Sequence, residues 1–208
     1  MAIISNGTTI LDAGSFSVDL GPLTFIKSLT VSGAANATIQ HGSSSVVFDS
    51  TYPVYLIKYI NVFSSTGQNI AVNFSVDGGT SYAGSMVTSA WVAEHSENDS
   101  DVARYDYSES YDKAGSTDQV IFNVNKGGLE NASDASASGE MYVFNPSSTT
   151  FTTHFMSRAN SLSEYPGSTD NYVAGYVNST SAVTGIRWHV VSSGTLSGTF
   201  LLYGLKDS

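Results

Sequence analysis

The last forty or so residues leave this chain little choice of fold. They hold three runs rich in β-branched and aromatic side chains, residues 170–180, 182–191 and 197–206, cut by Gly/Ser/Thr/Asn turns. Such runs, bounded by turn chemistry, are strands. The last reads Ser197-Gly-Thr-Phe-Leu-Leu-Tyr-Gly-Leu-Lys. A segment this apolar is expected to lie inside a sheet rather than to hang free.

The same pattern recurs upstream. Residues 16–20 alternate apolar and polar, as a half-buried strand does. Residues 23–31, 37–40, 45–48, 69–76, 86–93, 119–124, 140–144 and 150–156 read as further strands. Residues 54–63 form the longest apolar run and predict a central strand buried on both faces. Turn signals fall at short intervals, and no stretch shows a capped period of 3.6. The expectation is an all-β, single-domain antiparallel β-sandwich of jelly-roll type, with about twelve short strands. Residues 16–208 would form the sandwich and residues 1–15 an N-terminal arm. The arm carries two apolar pairs, Ile3-Ile4 and Ile10-Leu11, suited either to a neighbouring subunit's sheet edge or to its own domain. Residues 94–115 are polar, acidic and Tyr-rich and read as a long surface loop.

Composition narrows the function. With 208 residues the chain can bury a core without covalent staples, and it has no Cys. No apolar run is long enough to span a bilayer as a helix, and the first residues lack the pattern of a signal peptide. Net charge is −10 and the eight Lys and Arg residues are scattered, which argues against nucleic acid as a partner. Only 12% of residues are charged, about half the usual share. Hydroxyl and amide side chains supply the polar surface instead, as suits subunits that pack closely.

Few motifs carry chemistry. There is no nucleotide-binding glycine loop, no Gly-x-Ser-x-Gly elbow and no HExxH. Two carboxylates fit for glycoside hydrolysis cannot be picked out. The chain is expected not to be an enzyme and to need no cofactor. Ser75-Val-Asp-Gly-Gly-Thr-Ser-Tyr82 resembles the Asp-box of sialidase-type propellers, with Tyr82 where Trp usually stands. That resemblance implies a structural hairpin turn: Asp77 accepts turn N–H groups while Gly78 or Gly79 takes positive φ.

Glu94-His-Ser-Glu-Asn-Asp-Ser-Asp101 packs four carboxylates, those of Glu94, Glu97, Asp99 and Asp101, into eight residues. It reads first as a solvated acidic loop and second as a weak Ca²⁺ site, because oxygen-rich clusters suit that ion. Trp91, Tyr105, Tyr107 and Tyr111 lie in or beside this polar stretch. They suit packing onto a neighbouring subunit or, as the second reading, stacking on sugar rings.

The C-terminal Ser197-Gly-Thr-Phe-Leu-Leu-Tyr-Gly-Leu-Lys206 resembles the C-termini of virion structural proteins of tailed bacteriophages, many of them marine. Met1-Ala-Ile-Ile-Ser-Asn-Gly-Thr-Thr-Ile-Leu-Asp, Asp49-Ser-Thr-Tyr-Pro-Val-Tyr, Phe144-Asn-Pro-Ser-Ser-Thr-Thr-Phe and Val173-Ala-Gly-Tyr-Val-Asn-Ser-Thr-Ser-Ala-Val are also similar to stretches of that group. The resemblance implies a place in the virion and no chemistry. The expectation is a capsid-surface decoration or cement protein, a homotrimer that packs by sheet edges and Tyr/Ser/Thr-rich surfaces against other virion proteins. The alternative is a tail or tail-fibre component that binds a host surface glycan through the aromatic acidic loop.

Overall fold

The computed structural model describes residues 3–5, 8–12, 15–16, 22–99, 103–122, 128–163 and 167–206. Every regular element among them is a strand, sixteen in all. Three short ones, β1 (Ile3–Ser5), β2 (Thr8–Asp12) and β3 (Ser15–Phe16), pair with one another as a separate antiparallel sheet. The N-terminal arm therefore pairs with itself. Of its candidate contacts, Ile4 is exposed, and the side chains of Ile3, Ile10 and Leu11 lie outside the described residues.

The remaining strands are β4 (Leu23–Ala34), β5 (Asn36–Gln40), β6 (Val54–Ser64), β7 (Ile70–Ser75), β8 (Met86–Ser96), β9 (Ala103–Tyr107), β10 (Lys113–Ser116), β11 (Gln119–Val120), β12 (Ala137–Phe144), β13 (His154–Leu162), β14 (Gly167–Val177), β15 (Gly185–Val190) and β16 (Leu196–Leu205). They form two antiparallel sheets packed face to face, a β-sandwich. The larger has nine strands in the order β10-β8-β14-β13-β12-β6-β16-β4, with β9 also on β8. The smaller has four, β11-β7-β15-β5. Strand β16 pairs β6 on one side and β4 on the other, so the apolar C-terminal run does lie inside a sheet.

Side-chain alternation sets the core. Leu196, Phe200 and Leu202 of β16 face inward, with Tyr55, Ile57 and Tyr59 of β6 beside them. Trp188 of β15 meets them from the smaller sheet, its ring centroid 4.8 Å from Phe200 and 6.0 Å from Tyr59. Phe122 closes the cluster 5.4 Å from Tyr59. Edge-on contacts such as Tyr59–Phe122, at 85°, are favoured by aromatic quadrupoles.

Several expectations need correction. Residues 45–48 form no strand; Ser44 and Ser45 take positive φ and turn the chain instead. Residues 150–153 belong to the turn before β13. Residues 94–115 are not a long loop: β8 runs on to Ser96, and β9 and β10 pair along its free edge. Strand β6 is not buried on both faces, since Lys58, Ile60 and Phe63 are exposed. Its apolar run reads as buried on both faces because Leu56, Ile60 and Phe63 occupy outward positions on either side of Lys58.

Candidate functional site

Among the described residues of the acidic stretch the carboxylates do not converge. Glu94 has the inward parity of β8, is almost wholly buried and accepts a 3.0 Å ion pair from Arg104 Nε. Arg104 also meets Asp106 at 3.2 Å. Asp99 points to solvent and pairs with His95 Nε2 at 3.1 Å. Glu97 is exposed, and Asp101 lies outside the described residues. Among the described residues no three His, Cys, Asp or Glu side chains converge as a metal would need.

The Asp-box-like segment forms a turn, but not a hairpin. It carries the chain from β7 in the smaller sheet towards β8 in the larger one. The Asp77 carboxylate accepts from the Ser81 backbone N–H at 3.0 Å and from the Ser81 and Ser75 hydroxyls at 2.7 and 2.8 Å. Gly78 and Gly79 have φ of 74° and 82°. A side chain at Gly79 would also collide with Gln40. The Tyr82 ring packs under the Arg187 guanidinium, 4.6 Å away.

The Ser81 backbone N–H, then the Ser81 and Ser75 hydroxyls, hold the Asp77 pKa down at about 2, against about 3.9 in an unfolded chain. The carboxylate thus stabilises the fold above the unfolded value, and that contribution is lost as pH falls through the folded one. In thermal melts, Asp77→Ala is expected to lie below wild type at neutral pH. The gap should close as pH drops from about 4 to about 2. A gap that is the same at both ends would contradict this role.

Of the four singled-out aromatics, three share one surface. Trp91 on β8 and Tyr105 and Tyr107 on β9 project from the outer face of the nine-stranded sheet, as their registers Trp91↔Tyr107 and Ala93↔Tyr105 require. Tyr111 does not join them. It is half-buried against the core, where its hydroxyl accepts from Asn69 Nδ2 at 3.0 Å.

This outer face is the most distinctive surface of the molecule, and register builds it. One lateral row reads Phe25, Tyr203, Leu56, Tyr142, Met156, Ala174 from β4 to β14. The next reads Leu201, Lys58, Glu140, Arg158, Tyr172, Trp91 from β16 to β8. The face has two halves of different character. Over β4, β16 and β6 its ends are apolar: Phe25 is 56% exposed with Leu23 beside Tyr203 and Leu205, and Ile60 and Phe63 are exposed farther along β6, with Lys58, Ser28 and the Thr30–Thr199 pair between and beside the two groups. Single exposed hydrophobics are ordinary, but a contiguous group marks a contact surface.

Over β12, β13, β14 and β8 aromatic and charged groups mix. Trp91 and Tyr172 stack at 5.5 Å with 8° between their planes, and the Arg158 guanidinium lies 5.0 Å from the Tyr172 ring centre. Arg158 in turn grips Asp170 with Nη2 2.7 Å from Oδ2 and Nε 3.2 Å from Oδ1. Tyr142 stacks on Phe144 and His154 tilts against Tyr176. Because Ala174 and Ser89 are small, they leave a trough between the Trp91–Tyr172 stack and the His154–Tyr176 pair.

None of Arg158, Tyr172, Tyr142 or Met156 was legible as a site residue. Their only sequence signal is the period-2 parity of their strands, which places them opposite the core. Comparison with protein-family models, with curated proteins and with solved structures finds no match to this chain.

Proposed function

We propose that this chain is a non-enzymatic structural protein of a tailed-phage virion. Its place is the capsid surface, where it decorates and cements the shell as a homotrimer among other virion proteins. It requires no cofactor, nucleic acid or membrane insertion. The observation that carries this reading is the cluster of exposed apolar side chains at one end of the outer face, Leu23 and Phe25 beside Tyr203 and Leu205. A protein that leaves such a patch uncovered as a monomer is built to be covered in an assembly.

Two features support the reading. The C-terminal and internal segments resemble virion proteins of tailed phages. In addition, eight strands run β4-β16-β6-β12 opposite β5-β15-β7-β11. We read this interleaving as a jelly roll, widened on one side by β8–β10 and β13–β14. Jelly rolls recur in viral capsid proteins and in lectins, although a fold alone assigns no function.

We place the contact on a sheet face rather than on the β4 edge. Strand β4, at one edge of the large sheet, carries Lys27 and breaks register with β16 at two places. Charge and bulges of this kind keep an edge from pairing with another chain. The double variant Leu23→Ser/Phe25→Ser is therefore expected to fold with an unchanged melting temperature. Its co-sedimentation with capsids stripped of the protein should fall at least tenfold. A folded variant that binds capsids like wild type would overturn the assignment of this patch.

A further inference from the structure

We propose that the mixed aromatic and polar half of the outer face is a binding site for an extended, neutral polysaccharide chain. This goes beyond a place on the capsid and does not depend on it, because the site is complete within one copy of the chain.

Three depressions join along β13. One, of 500 Å³, is lined by Phe144, His154, Met156, Ala174 and Tyr176 among others. A second, of 170 Å³, shares Met156 and Ala174 with it and adds Trp91, Tyr142 and Tyr172. The third, of 510 Å³, shares Glu140 and Arg158 with the second and continues to Lys58, Asn160 and Asp170. Together they follow β13 from His154 to Asn160, a run of about 20 Å at strand spacing. That length suits several linked rings rather than a single small molecule.

The chemistry fits a sugar polymer. Pyranose rings present apolar C–H faces and hydroxyl edges, so a site needs apolar side chains beside groups that both donate and accept. Aromatic rings with a polar tip supply both. Here Met156, 54% exposed, and the rings of Tyr142, Tyr172 and Trp91 supply the apolar surface. Glu140, Arg158, Asn160 and Asp170 supply donors and acceptors along its side. Planar groups held by hydrogen bonds are ordered before the ligand arrives. The Tyr172 hydroxyl donates to Asp170 Oδ2 at 3.1 Å and Asn160 Nδ2 donates to Ser168 Oγ at 2.8 Å. Pre-ordering of this kind lowers the entropy cost of binding.

Charge selects against the other occupants. Lys58 faces Glu140 at 3.9 Å and Arg158 is paired with Asp170, so the site sums to zero within a chain of net charge −10. An anionic polymer would meet two carboxylates and a strongly negative molecule, and a cationic one would have to compete for carboxylates already engaged. A polyhydroxyl chain needs neither sign. The aromatics that recognise it stand on rigid strands of the sheet face, not on an acidic loop.

The test is affinity electrophoresis of the purified full chain through gels containing dextran, soluble starch, mannan, galactan, a mixed-linkage β-glucan or alginate. Retardation by at least one neutral polymer is expected. Trp91→Ala and Arg158→Gln should each reduce it at least tenfold, while Leu23→Ser/Phe25→Ser, on the apolar half, should leave it unchanged. Melting temperatures near that of wild type confirm that each variant folds; if Trp91→Ala does not, Tyr142→Ala takes its place. No retardation by any neutral polymer, retardation by alginate alone, or wild-type retardation in folded Trp91 and Arg158 variants would overturn the proposal. Failure of the wild-type chain to bind stripped capsids, with its retardation by a neutral polymer intact, would sink the decoration reading and leave this one standing.

Discussion

Trp188→Ala is expected to cost about 3–5 kcal/mol in urea unfolding, the range for truncating a large buried aromatic. For a chain of this length that is a fall of roughly 10 °C in melting temperature. Trp188 is fully buried and is the main contribution of β15 to the contact between the two sheets. It touches Phe200 and Tyr59, whose strands β16 and β6 are neighbours in the large sheet, so its removal loosens both sheets at once. The cavity would be walled by rigid strands with little freedom to collapse, which puts the cost towards the upper end.

Trp188→Phe should cost far less, for a specific reason. Among the described residues, the indole Nε1, the Tyr59 hydroxyl and the Ser157 hydroxyl are buried without a hydrogen bond of good geometry. Burial pushes the Tyr59 phenol well above its ordinary pKa, even though Ser157 and Trp188 nearby favour the phenolate. Losing Nε1 therefore forfeits no strong bond, and only volume is lost. If Trp188→Ala and Trp188→Phe were equally destabilising, the indole N–H and not packing would dominate.

Gly139→Val is expected to be nearly as damaging, through overcrowding instead of a void. Gly139 lies on β12 directly opposite Ala159 of β13. A Cβ added there would collide with the Arg158 carbonyl oxygen and sit 2.5 Å from Ala159 Cα. These are backbone atoms and cannot swing aside. The two strands must separate, and overpacking of a tight core costs about 1–3 kcal/mol or more. Gly139 also lies where the pairing of β12 with β6 shifts register, so the strand has little slack. Because β13 carries Arg158 and Met156, the same variant should weaken any ligand bound on the outer face. Urea melts would show the first effect and affinity gels the second. A Gly139→Val protein as stable as wild type would mean that the strands part more easily than their geometry indicates.

Much of this architecture was legible in the sequence, because period-2 alternation survives wherever one face is buried. The parity of β16, with Leu196, Phe200 and Leu202 inward, can be read directly. So can that of β8, whose Met86, Ala90 and Val92 face the core and leave Trp91 outside. What misled was the content of the outer face. In β6, Leu56, Ile60 and Phe63 fill outward positions, and this imitates a strand buried on both sides. That false signal is the trace of the surface proposed for contact. Strands β9 and β10 were missed because acids and tyrosines at an edge look like a loop until β8 is seen to pair with them.

The trough was beyond reach for another reason. It needs Tyr142, Met156, Tyr172 and Trp91 to fall in adjacent rows of four strands. Register across strands is set by the whole sheet and not by any one segment. Among the described members of the acidic cluster, Glu94 points inward to Arg104 while Asp99, past the end of β8, pairs with His95, a separation that sequence spacing alone does not show.

The most direct test of the proposed virion role is electron cryo-microscopy of the intact phage particle, with this chain located by antibody labelling or by comparison with a deletion. The account predicts density at lattice positions over the capsid shell, with Leu23, Phe25 and Ile60 turned towards a neighbour and the Trp91–Tyr172 stack open to solvent. Density confined to the tail or its fibres, or a capsid-bound copy with its apolar half facing solvent, would contradict it.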